Sequence, residues 1–576
     1  MTAKRIVSIL LCMLLCVSAF LVSCGEDSNT DTSDASDEVV EINPAAGFKD
    51  FNDFTVAYIP LDDRPVQTDR VKYLAESAGI TLKMPVEDDY RTILDAINGV
   101  ENARGGNTKN LLNWLKEQEQ NGVNCYIISL DQIFSGGLVN SRVGNNGNTN
   151  LDESETEIAN YLVELAKNNY VVYLDTVMRL ASTNGYKGYN LNEYYATRAY
   201  GSQLRATLPE EELTIENIVA GYRYGANDME IPLMNVSVET GAYCTATEEQ
   251  ISEHLAARER KLNIITYLIE KAGKDIEHLI VGVDDSSANE NIQYNERAYI
   301  EKIASSLPKF NLFAGADELG MMGIATLTSS LYAKDGEKGN IPVNVVYYGM
   351  GQNEVADHYD YLTLKETVDR HLSAIGAKQS DDTGALQVLI LTRQSSLDSK
   401  DLQTNAKELV EQLKKNLEAN IPTCVIDASN ANGGNARVLS DCILSAETPI
   451  PVGKSLAISC WNTVSNTVGI GLSNAVARYN YIKNSSDVSD ASNVGFLKTM
   501  TFALIKDASY RGHGSTMSFE STANYDDPLN IIKNIEASQI LGKDIKPIDH
   551  GKKITVSDIV LPWNRAFECR FTINVQ

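Results

Sequence analysis

The chain has 576 residues, 43% of them hydrophobic, and a formal net charge of −27 at pH 7. A chain this acidic repels nucleic acid and anionic lipid headgroups, so neither is expected as a partner. The apolar fraction supports a substantial core and excludes a largely disordered protein.

Residues 1–23 read as a lipoprotein signal peptide. Lys4 and Arg5 form a positive n-region, and Ile6 to Val22 is an apolar stretch short for a stable membrane span. Leu21-Val22-Ser23-Cys24 fits a lipobox: an aliphatic residue, small residues, then cysteine. Cleavage before Cys24 and acylation of that cysteine, with palmitate as the expected kind of chain, would hold the body at the membrane, outside the cytoplasm. An uncleaved anchor helix is the alternative and leaves the body on the same side. Residues 24–48 are rich in Asp, Glu, Ser and Thr with few apolar groups to offset ordering, and are expected to be a disordered acidic tether. Beyond Phe51 no apolar run is long enough to span a membrane.

Residues 49–485 repeat one unit. A short apolar, β-branched run ends in a polar motif, and a longer amphipathic stretch follows. The runs are FTVAYIPLDDRP (54–65), CYIISLDQ (125–132), YVVYLDTVMR (170–179), HLIVGVDD (278–285), NLFAGADE (311–318), VNVVYYG (343–349), LQVLILTR (386–393), PTCVIDAS (422–429) and SLAISCWN (455–462). Continuous apolar runs of this length predict parallel strands buried on both faces. The clearest helix is Glu248 to Lys271: Ile251, Leu255, Leu262, Ile265 and Ile269 share a face, and Thr247 with Gln250 resembles a capping box. The predicted fold is therefore α/β. About eight or nine units favour a (β/α)8-type barrel, whose strand ends converge on one site. Open doubly wound sheets are the alternative. Residues 182–245, rich in Tyr, Asn and Gly, are expected to be an insertion over the strand ends. Residues 486–576 are expected to be a small C-terminal subdomain, since CRFTINV alternates like an antiparallel strand.

Of nine cysteines, Cys12 and Cys16 leave with the signal and Cys24 carries lipid. Cys125, Cys244, Cys424, Cys442, Cys460 and Cys569 form no CxxC pair and are expected to be buried apolar groups; disulfides stay open. The six histidines are scattered, and with no HExxH and no Cys/His cluster no metal is expected. PVGKSL lacks the first glycine of a P-loop, GIGLSN follows no fitting dinucleotide unit, and there is no GxSxG elbow, so no cofactor is expected.

The polar motifs at the run ends carry the chemistry. Asp62, Asp63 and Arg64 follow the first run. Asp131 ends another, and in SGGLVNSR the Gly136-Gly137 pair allows close backbone approach while Arg142 can meet a carboxylate or a substrate. Arg179 follows YLDTVM. Asp284 and Asp285 are adjacent carboxylates in GVDDSSANE; in a partly dry cleft such a pair splits into one acid and one charged base. Paired carboxylates are how glycosidases protonate a leaving oxygen and stabilise the oxocarbenium ion. Calcium binding or a helix N-cap remain open for the same pair. GADELG offers Asp317 and Glu318, DASNANGGN offers Asp427, Asn430 and Asn432, and SCWNTVSN offers Trp461, Asn462 and Asn466. Amides, carboxylates and an aromatic face suit sugar hydroxyls and rings.

YIPLDDRP, SGGLVNSR, GVDDSSANE, GADELG, DASNANGGN, WNTVSNTVG and LPWNRAFE together resemble the bacterial family known as domain of unknown function 4127. That resemblance implies no established chemistry. The succession of motifs is also similar to the substrate-assisted β-N-acetylglucosaminidases of the O-GlcNAcase type. By that resemblance Asp284 would orient the substrate acetamido group and Asp285 would be the general acid–base. This chain has DAS where those enzymes have WDN. The expected function is a surface-anchored glycoside hydrolase acting on a carbohydrate. Two other readings stay open: a non-catalytic glycan- or solute-binding lipoprotein, and a metal-dependent hydrolase using Asp62, Asp63, Asp284 and Asp317.

Overall fold

The computed structural model describes residues 54–95, 103–143, 147–233, 236–237, 243–307, 309–332, 341–393, 399–431, 454–460, 462–511, 551–564 and 568–576. All nine apolar runs form strands, and they do so in two parallel sheets. The first sheet holds β1 (Thr55–Ile59), β2 (Thr81–Lys83), β3 (Cys125–Ser129), β4 (Tyr170–Val177), β7 (His278–Val283) and β8 (Phe310–Ala314), in the order β2-β1-β3-β4-β7-β8. A two-stranded pair, β5 (Val236–Ser237) and β6 (Tyr243–Cys244), lies between β4 and β7 in sequence. The second sheet holds β9 (Ile341–Tyr348), β10 (Ala377–Gln379), β11 (Leu386–Thr392), β12 (Thr423–Ala428) and β13 (Ala457–Ser459), in the order β10-β9-β11-β12-β13.

Both sheets are wound alike. In each, the second strand to be formed sits outside the first, and the later strands are added on the other side. The order reverses beside the first strand, as in open doubly wound folds. β8 does not pair back to β2, nor β13 to β10. The α/β class and the parallel strands are as expected; the open-sheet alternative fits, and the described strands close no barrel. Apolar runs report burial on both faces, and a barrel strand and an inner strand of an open sheet share that property.

The two sheets face a common helical layer. The Leu319–Leu331 helix, which follows β8, packs on β3, β4 and β7; the Val464–Asn484 helix, which follows β13, packs on β12 and β13; and the two helices pack on each other. One apolar cluster therefore runs from Val56, Ile127, Val172 and Phe313 through Met322, Val468 and Leu472 to Val388 and Ile426.

On the outer face of the first sheet lies the Glu248–Ala272 helix, whose expected capping box between Thr247 and Gln250 is present. Ile251, Leu255, Leu262 and Ile265 are buried on it. At the C-terminal end β14 (Ile554–Val560) and β15 (Arg570–Val575) form an antiparallel hairpin. The alternation along β15 buries Phe571 and Ile573 against Leu497, Met500 and Phe502. Among the described residues no helix is long and apolar enough to cross a membrane. Cys125, Cys424 and Cys460 are buried free thiols and Cys569 is buried; Cys24 and Cys442 lie outside the described residues.

Candidate functional site

Open parallel sheets bind ligands beyond the carboxyl ends of their strands. In the first sheet those ends carry charge. Asp62, just after β1, accepts from the Arg64 backbone N–H at 3.0 Å and from Arg64 Nε at 2.9 Å. The far end of the same guanidinium reaches Asp317, beyond β8, at 3.2 and 2.6 Å. Asn462, beyond β13 of the second sheet, donates to Asp317 Oδ2 at 2.8 Å. The Asn466 side-chain Oδ1 accepts from the backbone N–H groups of Ala316 and Asp317 at 2.8 and 3.0 Å. The second sheet thus sends two amides into the first sheet's site. Burial raises the Asp317 pKa, but Arg64 and the Asn462 hydrogen bond outweigh burial and hold it below its ordinary value. Gly315 makes this turn possible: its φ is +112°, and a Cβ there would collide with Glu318 Oε1 and lie 2.8 Å from Asn466 Oδ1.

Asp63 faces the other way. Its Oδ1 accepts from the Thr92 N–H at 3.1 Å and from the indole N–H of Trp563 at 3.0 Å. Burial, with Asp62 next door, pushes its pKa up to about 6. Trp563 sits between β14 and β15, and the Arg64 guanidinium lies 5.4 Å from its ring centroid. Arg570 on β15 donates to the Asp63 carbonyl at 2.7 Å. Beneath them Lys506 pairs with Glu568 at 3.0 Å, and Arg70 with Asp507 at 2.5 Å, all fully or almost fully buried. Lys506 and Asp507 lie in a π-helical segment, Ala503–Arg511, a distortion frequent at functional sites.

The adjacent pair Asp284 and Asp285 follows β7. Asp284 is ion-paired to Arg142, whose Nη1 also donates to Thr183 at 2.9 Å. Asp285 lies 3.3 Å from Arg179 Nη1, while the Nε and Nη2 of Arg179 donate to the carbonyls of Ala181 and Ser182. The Asp285 side chain is 23% exposed, that of Asp284 11% and that of Asp62 buried, so Asp285 is the most reachable of the three. Its backbone has φ +38°, and Asn462 and Trp563 also have positive φ. Such strain in non-glycine residues persists only where surroundings impose it, and it often marks functional sites. Burial raises the Asp284 pKa against the pull of Arg142, and Asp285 raises it further; Asp317 is close enough to add to the effect.

Other expected residues lie apart. Asp131 is ion-paired to Lys261, which also reaches Asp175 at 3.3 Å; Thr176 donates to Asp131 at 2.8 Å. This buried group lies on the Glu248–Ala272 helix side of β3 and β4. Glu318 turns away from Asp317 and meets His371 Nε2 at 3.1 Å, with His371 Nδ1 2.7 Å from the Thr367 carbonyl. Asp427 accepts from the N–H and hydroxyl of Ser429 at 3.0 and 2.5 Å, and burial pushes its pKa up to about 6. Asn430 is exposed. Cys24, Asn432 and Trp461 lie outside the described residues. In SGGLVNSR both glycines have positive φ, and Gly136 lies against Gly106, as close approach requires.

Sequence reasoning passed over Trp563, Glu568, Lys506, Arg570, Lys261 and His371. The first two stand inside LPWNRAFE, so a motif signal existed without a partner to attach it to. Lys261 is masked by the apolar stripe of its helix. Among the described residues no group of three or more His, Cys, Asp or Glu side chains is placed to hold a metal ion.

The family described as "Protein of unknown function (DUF4127)" matches residues 56–572. The chain belongs to that family. The match spans both sheets and every cluster just described, from β1 into β15. No curated protein matches the chain. The family's description assigns no reaction, so chemistry must come from the side chains.

Proposed function

We propose that this protein is an extracytoplasmic, lipid-anchored carbohydrate-active enzyme, a glycoside hydrolase whose acid pair is Asp284 and Asp285. The observation that carries the reading is the convergence of Asp62, Arg64, Asp284, Asp285, Asp317, Asn462 and Asn466 at the strand ends, with Asp285 partly exposed. Acids, amides and guanidinium groups on one edge suit hydroxyl recognition. Paired carboxylates are how glycosidases divide the work; the acid role of Asp285 rests on the resemblance to O-GlcNAcase-type enzymes, since burial raises the pKa of Asp284 and Asp285 lies against Arg179.

In the substrate-assisted form, Asp284 orients the acetamido group of an N-acetylhexosaminide. Its Oδ2 is held by Arg142, which leaves Oδ1 for the ligand N–H. The acetamido oxygen attacks the anomeric carbon as the glycosidic bond breaks, and Asp285 gives its proton to the leaving oxygen. Water then opens the cyclic intermediate and returns a proton to Asp285. Aryl glycosides, including N-acetylhexosaminides, test the assignment. Loss of hydrolysis by at least about 100-fold in Asp285→Asn is expected. No hydrolysis by the parent, or full activity in the variant, sinks it.

A second reading, a non-catalytic glycan-binding lipoprotein, draws on the two open parallel sheets and on the arginine bound to each of Asp62, Asp284, Asp285 and Asp317. Tight binding of an intact glycan without turnover would favour it. Anchoring by Cys24 rests on the lipobox alone. Labelled fatty acid should enter the parent chain and not Cys24→Ser; equal labelling of both refutes the anchor.

A further inference from the structure

We propose that the rim beside Asp285 takes an anionic substituent of the sugar, a carboxylate or a sulfate ester, on Arg198; the proposal deepens the carbohydrate reading and rests on it. Tyr194 and Arg198 are one turn apart on the Leu191–Ser202 helix and therefore share a face. That face meets the strand ends at two points. The Arg179 guanidinium lies 5.3 Å from the Tyr194 ring centroid, and the Arg198 guanidinium lies 5.2 Å from that of Tyr359. Both partners flank the Asp285 loop: Arg179 is ion-paired to Asp285, and the Tyr359 carbonyl accepts from the Ser286 hydroxyl at 2.7 Å. Arg198 is thus built into the rim around Asp285.

Arg198 differs from its neighbours in having no direct ion pair: the acid that acts on it, Asp285, is already held by Arg179. Arg64, Arg142 and Arg179 are buried and each holds a carboxylate. Arg198 is partly buried, and among the described residues its guanidinium makes a cation–π contact but no ion pair. A guanidinium held beside an aromatic ring loses less freedom when it grips a planar anion through two N–H groups. His358, exposed and with its ring 3.9 Å from that of Tyr359, stands on the same rim and can add a donor. The acids facing this rim are Asp285, already paired to Arg179, and Asp357, which accepts from the backbone N–H groups of Tyr359 and Val464. A neutral sugar would leave Arg198 unused, whereas a uronate or sulfated sugar would complete it.

The full chain should be titrated by calorimetry with glucuronate, N-acetylglucosamine 6-sulfate, glucose and N-acetylglucosamine. The matching nitrophenyl glycosides should be assayed alongside, with Arg198→Gln and Arg198→Lys compared and thermal melting as the folding control. Expected is binding of at least one anionic sugar at least tenfold tighter than its neutral counterpart, lost in Arg198→Gln and partly kept in Arg198→Lys. The glucuronate and sulfate arms tell which anion is read. Equal binding of charged and neutral sugars, no binding of either, or a preference untouched by Arg198→Gln overturns the proposal. If anionic sugars bind through Arg198 yet no glycoside is cleaved, the hydrolase reading fails and the anion site stands. If neutral and anionic glycosides are cleaved alike in every variant, the reverse holds.

Discussion

Trp563 donates its indole N–H to Asp63 at 3.0 Å across 500 residues of sequence. That bond joins the C-terminal hairpin to the first strand's loop, and it stabilises the charged form of a carboxylate that burial pushes up to about 6. Trp563→Phe removes the donor and keeps most of the ring. The Asp63 pKa should then rise further, because a bond to the carboxylate is lost and the burial is not. Carboxyl-carbon NMR, assigned with Asp63→Asn, reads the shift, and an unchanged or lowered pKa contradicts the contact. Stability should fall by about 1.5–3 kcal/mol, the range for a hydrogen bond to a charged group.

Arg64 bridges Asp62 and Asp317, and all three are buried. Arg64→Met leaves two carboxylates without their cation in a dry site. Removing one partner of a buried ion pair costs about 3–5 kcal/mol. Denaturant melts of parent and variant measure it; a loss below about 1 kcal/mol would mean that solvent already reaches the acids.

Asp427 gives a pH signature. Its folded pKa is about 6, raised by burial from an ordinary value of 3.8. Between those values the folded chain holds a proton that the unfolded chain has released. Its contribution to stability is therefore full below about pH 4, falls as pH rises to about 6, and levels off above, a change of about 3 kcal/mol at most. Asp427→Asn should flatten the curve over that window. A parent and variant with parallel curves would rule this group out as a source of the slope.

Gly315→Ala should be costly. The position has φ +112°, and the new methyl would collide with Glu318 and crowd Asn466. A destabilisation of about 2–4 kcal/mol is expected. Chemical melts read it, and a loss of only a few tenths would mean that the turn relaxes freely.

The sequence makes the apolar strands legible, the edge strands β8 and β13 among them, but not the opposite edges β2 and β10. Each of the nine apolar runs is a strand; most are buried on both faces and so show no polar alternation, although β9 is partly exposed along most of its length. β2 and β10 are three residues long and largely exposed, so no apolar run betrays them. With one edge of each sheet out of view, open sheets and a closed barrel look alike. At the site, residues that follow strands directly, such as Asp62, Asp284 and Asp317, were readable because the strand end fixes their place. Trp563 and Lys506 were not, since their neighbours are set by how the C-terminal segment folds back. Asp131 and Glu318 have the same strand-end signature as Asp317, yet they serve buried pairs with Lys261 and His371. Which side of the chain a strand-end carboxylate turns to depends on tertiary partners.

The shared helical layer has a thermodynamic corollary. The Leu319–Leu331 and Val464–Asn484 helices each cover a different sheet while burying their remaining apolar surface in one another. Neither sheet can lose its covering helix without exposing the other's, so partial melting of one half raises the free energy of both. Two sheets of this kind should unfold in one cooperative event. A single calorimetric endotherm with matching van't Hoff and calorimetric enthalpies is the expected trace, and two resolved peaks would show the halves to be separable.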